Sequence, residues 1–420
     1  MTHKRFLVRT FIAFTALVTL GALLNVIVDP YGLFEVWRSP GFNDVKPMAG
    51  TRVRITKPYQ LARAKPNTVV VGNSRPELGI DPTSECWASE DQPVFNAGVP
   101  GIGVYYQARM IQTAIESGAV KRFYWGLDFL DFVSTGQKDA GRWPPPSSVI
   151  DKRWPVTADG RETPDYAWQS LLDMRDATLS LNAVLDSVVT IMQQSDAFSS
   201  TRRADGFNPA RDYIEIVNTE GQGVLFKQKN PEIIRTLSRG GLALYPPGEN
   251  WSQDFESVRF VLQLADQAGV ETTLFINPYH ADYLTAIEVT GNWPLLEDWK
   301  RRLTILASAS ETATLWDFNA FDQYSSTPPP DHLARGKALE WYWEPAHYRK
   351  ELGDLMVARM RDTPCSGFDS GFGSQLDPVN IEAHLMKLRE QKTAYLEGST
   401  ERAAMLEALA NEVSDEVAHP

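Results

Sequence analysis

Apolar and polar positions divide the chain into one long apolar run, an alternating central region and a polar C-terminal part. The run Phe11–Val28 carries no charge and predicts a membrane-spanning helix that can extend toward Phe6. Basic residues precede it: Lys4, Arg5 and Arg9. By the positive-inside tendency, residues 1–10 are cytoplasmic and the chain after Asp29 lies outside. Because no small-residue cleavage site follows in NVIVDPYGLF, we favour a retained anchor over a cleaved signal peptide.

Between residues 66 and 365, short apolar runs alternate with segments of helical spacing. These runs predict five strands, which in chain order are NTVVVGN, QPVFNAG, RFYWGLDF, VETTLFIN and TATLWDFN. TATLWDFN is predicted to be the last strand. Strands that alternate with helices indicate βαβ units, so we predict an α/β domain of three layers, a parallel sheet between two layers of helices. Residues 29–65 lack a sustained period and are interpreted as a stalk.

Two segments depart from this alternation. Residues from about 134 to 250 contain a Pro-rich stretch and a helical pattern around Tyr166 to Gln193, and we interpret them as an insertion that caps one end of the sheet. Residues 366–420 form a Gly/Ser linker and a helical tail. That tail is either a helical hairpin packed on the domain or a helix pair that binds a partner.

Composition narrows the class of protein. With 43% hydrophobic residues in 420, the chain can bury a sizeable core and is not a disordered protein. The net charge of -12 repels polyanions, so no nucleic-acid partner is predicted. Cys86 and Cys365 either form a disulfide or remain separate buried thiols. No residue spacing matches a catalytic metal site, and we predict neither a metal nor a cofactor.

Small or polar residues follow several predicted strands. The groups are Gly72-Asn73-Ser74-Arg75, Asn96-Ala97-Gly98 with Gly101 nearby, Gly126-Leu127-Asp128, and Asn277-Pro278. The carboxyl ends of strands line the ligand crevice of an open α/β sheet, so these residues are expected to converge. Ser74 is a candidate nucleophile, which requires a base oriented by a carboxylate. The simpler alternative is a serine that merely starts a helix.

Three histidines lie in the α/β region and could supply the base: His280, His332 and His347. His347 is distinguished by Glu344, three residues earlier and directly ahead of a predicted helix, which allows carboxylate and imidazole to share one turn. His280 is either a crevice residue or a surface-loop histidine, and we interpret His332 as a loop residue. The neighbouring aromatic residues 341–343 pack in the core or offer flat faces to sugar rings.

The combination of GNSR after the first strand, NAGVPG after the second and acid-x-x-His before the last helix resembles the SGNH/GDSL hydrolases. It is most similar to membrane-anchored exported members, such as the alginate O-acetylation proteins and the D-alanine transfer protein. The similarity covers roughly residues 65–360 and leaves the insertion and the tail unexplained. It implies that Ser74 is the nucleophile, that His347 is the general base and that Glu344 replaces the usual aspartate.

The resemblance also implies an oxyanion hole, built by the N–H of Ser74 and that of Gly98 or Gly101. The family places an amide side chain after the third strand, whereas this chain has Asp128, and an ionised carboxylate cannot donate a hydrogen bond. Three outcomes are open. Asn96, Asn277 or Arg75 replaces the donor, or the hole is weaker than usual, or Asp128 is structural.

These observations lead to one functional expectation and one alternative. The resemblance implies a single-pass protein of the bacterial inner membrane whose main domain faces the periplasm or the exterior. It would act as a serine esterase or O-acyltransferase on acyl groups of a glycan or cell-envelope polymer, with a membrane-embedded protein as acyl donor. The alternative is a non-catalytic envelope protein that binds glycan or assembles a membrane complex.

Overall fold

The computed structural model describes residues 3–35, 37–134, 149–331, 334–363 and 365–418. The helices, in chain order, are α1 His3–Val28, α2 Val53–Ala64, α3 Ser74–Gly79, α4 Val104–Glu116, α5 Phe129–Phe132, α6 Tyr166–Leu179, α7 Leu181–Met192, α8 Arg211–Thr219, α9 Gln222–Leu237, α10 Gln253–Ala268, α11 Ala281–Val289, α12 Trp293–Ser308, α13 Lys350–Arg361, α14 Ile381–Gly398 and α15 Thr400–Ala418. The strands are β1 Thr68–Val71, β2 Val94–Asn96, β3 Arg122–Leu127, β4 Glu271–Ile276, β5 Ala313–Asp317, β6 Tyr342–Glu344, β7 His347–Tyr348 and β8 Ser374–Leu376. By internal contacts the chain divides into two compact units, residues 1–63 with 148–212 and residues 64–147 with 213–420.

A six-stranded, mostly parallel sheet forms the second unit's centre, which confirms the α/β prediction. The strand order is β2-β1-β3-β4-β5-β8, and the first five strands are parallel. An order of 2-1-3-4-5 is one of the two common doubly wound arrangements, in which ligands bind at the carboxyl ends of the strands beside the switch between β1 and β3. This strand order explains why the residues that follow the strands are expected to converge at one edge of the sheet.

One prediction about the sheet is wrong, because TATLWDFN, which contains β5, is not the last strand. Residues 374–376, at the end of the predicted linker, form β8 and pair antiparallel with β5 at the edge of the sheet. A three-residue edge strand that pairs on one side needs no alternating pattern, so the sequence carries no periodic signal for it.

Glycines permit three close approaches between the elements that form the site. Gly72 has φ of 151°, and a Cβ there would lie 2.7 Å from Pro76 Cγ in α3. At Gly353 in α13, a Cβ would overlap the carbonyl oxygen of Gly79, the last residue of α3. A Cβ on Gly79 would overlap the ring of Tyr348. The absence of these side chains lets α3 lie directly against α13 and β7.

In the first unit, α1 is 26 residues long, and its most apolar stretch of 18 residues has a mean hydropathy of 2.4, so the helix is long and apolar enough to cross a membrane. Residues 29–63 differ from the predicted stalk, because they contain α2 and buried side chains that pack with residues of α6 and α7. The cluster consists of Tyr31, Leu33, Tyr59, Ala177 and Ala183. The helical pattern predicted around 166–193 is divided at Ser180, whose hydroxyl accepts from Ala183 N–H and caps α7.

The C-terminal helices pack on the second unit, as the hairpin alternative predicted. Helix α14 contacts α12, and α15 contacts α9 and α11. Ion pairs accompany the packing: Arg389 Nε donates to Glu297 across 2.6 Å, and Arg402 Nε donates to Asp282 across 2.9 Å. Leu385 and Leu388 of α14 are buried.

The second unit also contains a disulfide. It joins Cys86 to Cys365, whose Cα atoms are 5.3 Å apart, so the two cysteines are not separate thiols.

Candidate active site

Ser74 is the first residue of α3, directly after the turn that ends β1. The helix is capped by Asn73, whose Oδ1 accepts from the N–H of Arg75 at 3.0 Å. Ser74 thus starts a helix, as the simpler alternative has it, but the capping residue is Asn73 and not Ser74. The hydroxyl of Ser74 is available for another partner, and Ser74 is partly exposed to solvent.

The second part of the site is a short hairpin formed by β6 and β7. Glu344 and His347 pair across a turn made of Pro345 and Ala346. Buried Gln222 of α9 holds this hairpin, because its Nε2 donates to the carbonyl oxygen of Tyr342 at 2.6 Å. The proposal from sequence that one turn brings carboxylate and imidazole together agrees with this geometry.

Ser74, His347 and Glu344 lie in a hydrogen-bonded series, although 273 residues separate Ser74 from His347. The Ser74 Oγ to His347 Nε2 distance is 2.7 Å, and His347 Nδ1 contacts the Glu344 carboxylate. Because an ionised carboxylate only accepts, Nδ1 carries the ring proton and Nε2 is left to accept from the serine hydroxyl. This tautomer is the one that a general base requires.

The carboxylate of Glu344 is fully buried, yet its pKa is lowered and not raised. Burial alone would raise the pKa of Glu344, but the His347 ring and the N–H of Ala346, 2.8 Å from Oε2, hold that pKa below its ordinary value. Both carboxylate oxygens are thus engaged, one on the imidazole and one on the hairpin backbone. The negative charge is placed to stabilise an imidazolium on His347.

Arg75 connects the serine helix to the hairpin and accounts for Asp128. Its Nε donates to the carbonyl oxygen of Ala346 at 2.7 Å, and its guanidinium pairs with the carboxylate of Asp128. The same guanidinium lies 5.1 Å from the ring centre of Tyr279. Asp128 also caps α5 by accepting from Leu130 N–H. Of the outcomes left open by the sequence, the structure favours a structural Asp128.

The other proposed amide donors are also committed to the fold. Asn96 Nδ2 donates to the carbonyl oxygens of Pro76 and Ile80, each at 2.8 Å. Asn277 Nδ2 donates to the carbonyl oxygen of Leu127 at 3.0 Å, and its Oδ1 accepts from the Tyr348 hydroxyl. Neither of these amides forms a hydrogen bond with Ser74, and the guanidinium of Arg75 forms none with it either. The prediction that one of them replaces the family's amide donor has no support from these contacts.

The proposed backbone donors differ from one another. The N–H of Gly98 donates to Asn96 Oδ1 at 2.9 Å, and Gly101 lies exposed in the loop before α4. No described residue accepts a hydrogen bond from the N–H of Ser74, which is the expected state of the first residue of a helix. The N–H of Ser74 is consequently the donor that this geometry best supports.

Two residues near the site were not predicted from sequence. The ring of Tyr213 lies 6.1 Å from that of His347 and 5.7 Å from that of Trp343. Asp131 accepts from Gln107 at 3.0 Å and from Asn73 at 3.3 Å; burial raises its pKa to about 6 against the opposing effect of Arg75. Neither residue belongs to a local motif, because each reaches the site only through long-range packing. Asp131 lies in the short helix α5, three residues after Asp128, and that proximity is the one signal available.

The remaining sequence candidates have other roles or fall outside the described residues. His280 is buried and caps α11 by accepting from Asp282 N–H, so it is neither a surface-loop residue nor a member of the hydrogen-bonded series. In the aromatic segment, Tyr342 and Trp343 are buried, which favours core packing. His332 lies outside the described residues.

This arrangement has the parts needed for nucleophilic catalysis. A hydroxyl, an imidazole in the accepting tautomer and a buried carboxylate follow one another within hydrogen-bond distance. We compared the chain with known proteins, and no family model, curated protein or solved structure matches it.

Proposed function

We propose that the protein is a membrane-anchored serine esterase or O-acyltransferase of the SGNH type. The observation that carries the proposal is the contact between Ser74 Oγ and His347 Nε2 at 2.7 Å, with Glu344 on the other ring nitrogen. Its substrates would be acyl groups of an extracytoplasmic glycan or cell-envelope polymer in a bacterium. The apolar helix α1 would hold it in the inner membrane, with the second unit facing the periplasm or the exterior.

The proposed reaction has two halves. His347 Nε2 takes the proton of Ser74 while Oγ forms a bond to the ester carbonyl carbon. The N–H of Ser74 would donate to the resulting oxyanion. The bond from carbon to the leaving oxygen then breaks as His347 returns the proton to that oxygen, which leaves an acyl-Ser74 intermediate. Water, or a sugar hydroxyl, gives its proton to His347 and attacks the acyl carbon. The bond from that carbon to Ser74 Oγ then breaks as His347 returns the proton to Oγ, which releases either the free acid or a new ester.

Supporting features extend beyond the three side chains. The strand order 2-1-3-4-5 places the serine turn beside the β1/β3 switch, where doubly wound sheets bind ligands. Residues 134–250 include α6 to α9, and we retain the proposal that this stretch is an insertion in an SGNH-like domain. A membrane-embedded protein would supply the acyl group if the reaction is a transfer.

A second candidate is a non-catalytic envelope protein that binds glycan or assembles a membrane complex. One observation favours it: the amides of Asn96 and Asn277 donate to backbone carbonyl oxygens, and Asp128 pairs with Arg75. An oxyanion would then have fewer donors than an efficient acyl-transfer site requires.

Labelling of the full-length protein in detergent by a fluorophosphonate, together with hydrolysis of p-nitrophenyl acetate, distinguishes the two candidates. We expect both signals in the native protein and in Ser308→Ala, an exposed serine in α12, and neither signal in Ser74→Ala. Adding a soluble sugar acceptor then separates transfer from hydrolysis by the appearance of an acylated sugar. Failure of the native protein to label at Ser74 or to hydrolyse the ester would overturn the catalytic proposal and favour the binding role.

A further inference from the structure

Helix α7 has the reverse of the polarity that a water-soluble helix shows. Besides Asn182, its exposed side chains are large and apolar and lie along one stripe: Leu181, Leu185, Val188 and Met192. Its buried residues are small or polar: Ala183, Ser187 and Thr190. Leu181 is 81% exposed and Leu185 is 64% exposed. A helix in water instead buries its large apolar side chains and exposes its polar ones.

The buried side of α7 lies against α1, the candidate membrane span of the same unit. A Cβ on Gly21 of α1 would lie 3.4 Å from Val184 Cγ2, so the small residue permits close approach of the two helices. Asn25, four residues later in α1, is buried and accepts from the Ser187 hydroxyl at 2.9 Å. Small residues and hydrogen-bonded polar side chains at a helix interface are typical of packing inside membranes.

Helix α6 completes the interface and leaves its own apolar side chains exposed. The Nδ2 of Asn25 donates to the carbonyl oxygen of Thr178 at 2.8 Å, so the end of α6 also lies against α1. Leu179, next to the turn that joins α6 to α7, is 54% exposed, and Trp168 near the start of α6 is 63% exposed. Exposed tryptophan at one end of an apolar surface is typical of the membrane–water boundary.

The contacts with α1 place this turn at the level of the apolar run. Seven residues separate Gly21 from Val28, the last residue of α1, which is about 10 Å along a helix. Val184 therefore contacts α1 well before the run ends, and Leu181 precedes Val184 by nearly one turn. Asp186, the single ionisable side chain of α7, accepts from the Tyr31 hydroxyl and is not isolated.

We infer that the α6–α7 hairpin, residues 166–192, inserts its apolar stripe into the bilayer that α1 crosses. The occupant of this surface is lipid, because the stripe adjoins the exposed apolar surface of α1, where Leu17 is 69% exposed and Leu20 is 63% exposed. A helix face rich in leucine and valine, lying in the boundary of the headgroups and acyl chains, is held by burial of its apolar area. The hairpin would fix the first unit against the membrane surface in addition to the anchor.

Fluorescence quenching of the full-length protein in phosphatidylcholine vesicles tests this inference. Cys86 and Cys365 are bridged, so a single introduced cysteine can be labelled with an environment-sensitive fluorophore. The variants are Leu185→Cys on the stripe, Leu17→Cys in α1 as the membrane reference, and Glu162→Cys at an exposed polar position as the aqueous reference. Brominated lipids quench labels in the acyl region, and iodide quenches labels in water.

We expect Leu185→Cys to lose fluorescence with brominated lipid to an extent comparable with Leu17→Cys, and to resist iodide, whereas Glu162→Cys shows the opposite. Iodide quenching of Leu185→Cys equal to that of Glu162→Cys would overturn the inference, with lipid quenching at Leu17 still showing an inserted anchor. Protection of Leu185→Cys from both quenchers would also overturn it, because a protein partner would then cover the stripe. Failure of lipid to quench Leu17→Cys would overturn both membrane assignments without affecting the hydrolase proposal, which is measured on Ser74.

Discussion

Arg75 Nε donates to the carbonyl oxygen of Ala346 across 2.7 Å and so joins the residue after the candidate nucleophile to the residue before the candidate base. The guanidinium is charged and almost fully buried, and Asp128 is its counter-ion. A planar group with several donors can satisfy both partners at once, which an ammonium cannot do with the same geometry. The alignment of Ser74 with His347 therefore depends on Arg75, although Arg75 contacts neither the Ser74 hydroxyl nor the His347 ring.

Arg75→Met is expected to lower the free energy of unfolding by about 3–5 kcal/mol, because it leaves the Asp128 carboxylate buried without a counter-ion. Arg75→Met with Asp128→Asn should recover most of that loss, since no buried charge remains and the Asn oxygen can still accept from Leu130 N–H. Esterase activity should stay low in the double variant, because the link to Ala346 is not restored. Chemical denaturation and ester hydrolysis measure the two properties, and full recovery of activity would show that the link is dispensable.

Glu344→Gln is expected to lower kcat by about 10³–10⁴-fold, by analogy with the loss of the orienting carboxylate in a serine protease triad. The amide can donate to Nδ1, which favours the tautomer that protonates Nε2 and blocks acceptance from Ser74. KM should change little, because Glu344 is buried behind His347. The matched control is Glu340→Gln, an exposed position four residues earlier, which should keep native kinetics.

Gly353→Ala is expected to destabilise the fold by at least about 1–3 kcal/mol, the usual cost of overpacking, because its Cβ would overlap the backbone carbonyl of Gly79. Backbone atoms cannot move aside as a flexible side chain can, so α3 and α13 must separate. Gly240→Ala provides the comparison, since a Cβ there has open space and should alter the unfolding free energy by less than about 0.5 kcal/mol. Equal stability of the two variants would contradict the close contact.

Asp317→Asn is expected to destabilise the protein by about 3–5 kcal/mol near pH 7, because Lys300 would lose its counter-ion in the core. Burial acts to raise the pKa of Asp317, but Lys300 and His384 lower it to about 2. Since the folded-state pKa lies below the ordinary value, the carboxylate stabilises the fold above about pH 4, and this contribution is lost as the pH falls toward 2. Denaturation curves from pH 6 to 2.5 should therefore show the native protein and the variant converging in stability, and a constant difference would refute the assignment.

Local patterns were sufficient for several predictions. The β-branched and aromatic runs predicted β1 to β5 in sequence order, because buried parallel strands are continuous apolar segments. The 18-residue uncharged run predicted α1, and helical spacing predicted the C-terminal helices. Glu344 and His347 could be associated from sequence because they are three residues apart, and a turn of that length is a local structure.

Other features are decided by contacts between residues far apart in sequence. The sequence contains candidates for an oxyanion donor, but only the fold shows that the amides of Asn96 and Asn277 are used by backbone carbonyl oxygens. Tyr213 and Asp131 belong to no motif and reach the site through packing. The interpretation of residues 29–65 as a stalk did not anticipate Tyr31 and Tyr59, because their burial depends on a segment more than 100 residues later.

By itself, the sequence determined the elements and their polarity: an apolar helix, parallel strands that end in small polar residues, and a carboxylate three residues before a histidine. Only the tertiary structure decided that Ser74 and His347 meet, that Asp128 neutralises Arg75, and that the apolar side of α7 faces outward. The physical reason is the range of the interactions. Hydrophobic periodicity and turn chemistry act over a few residues, whereas the partner of a buried charge or hydroxyl is chosen by the packing of the whole unit.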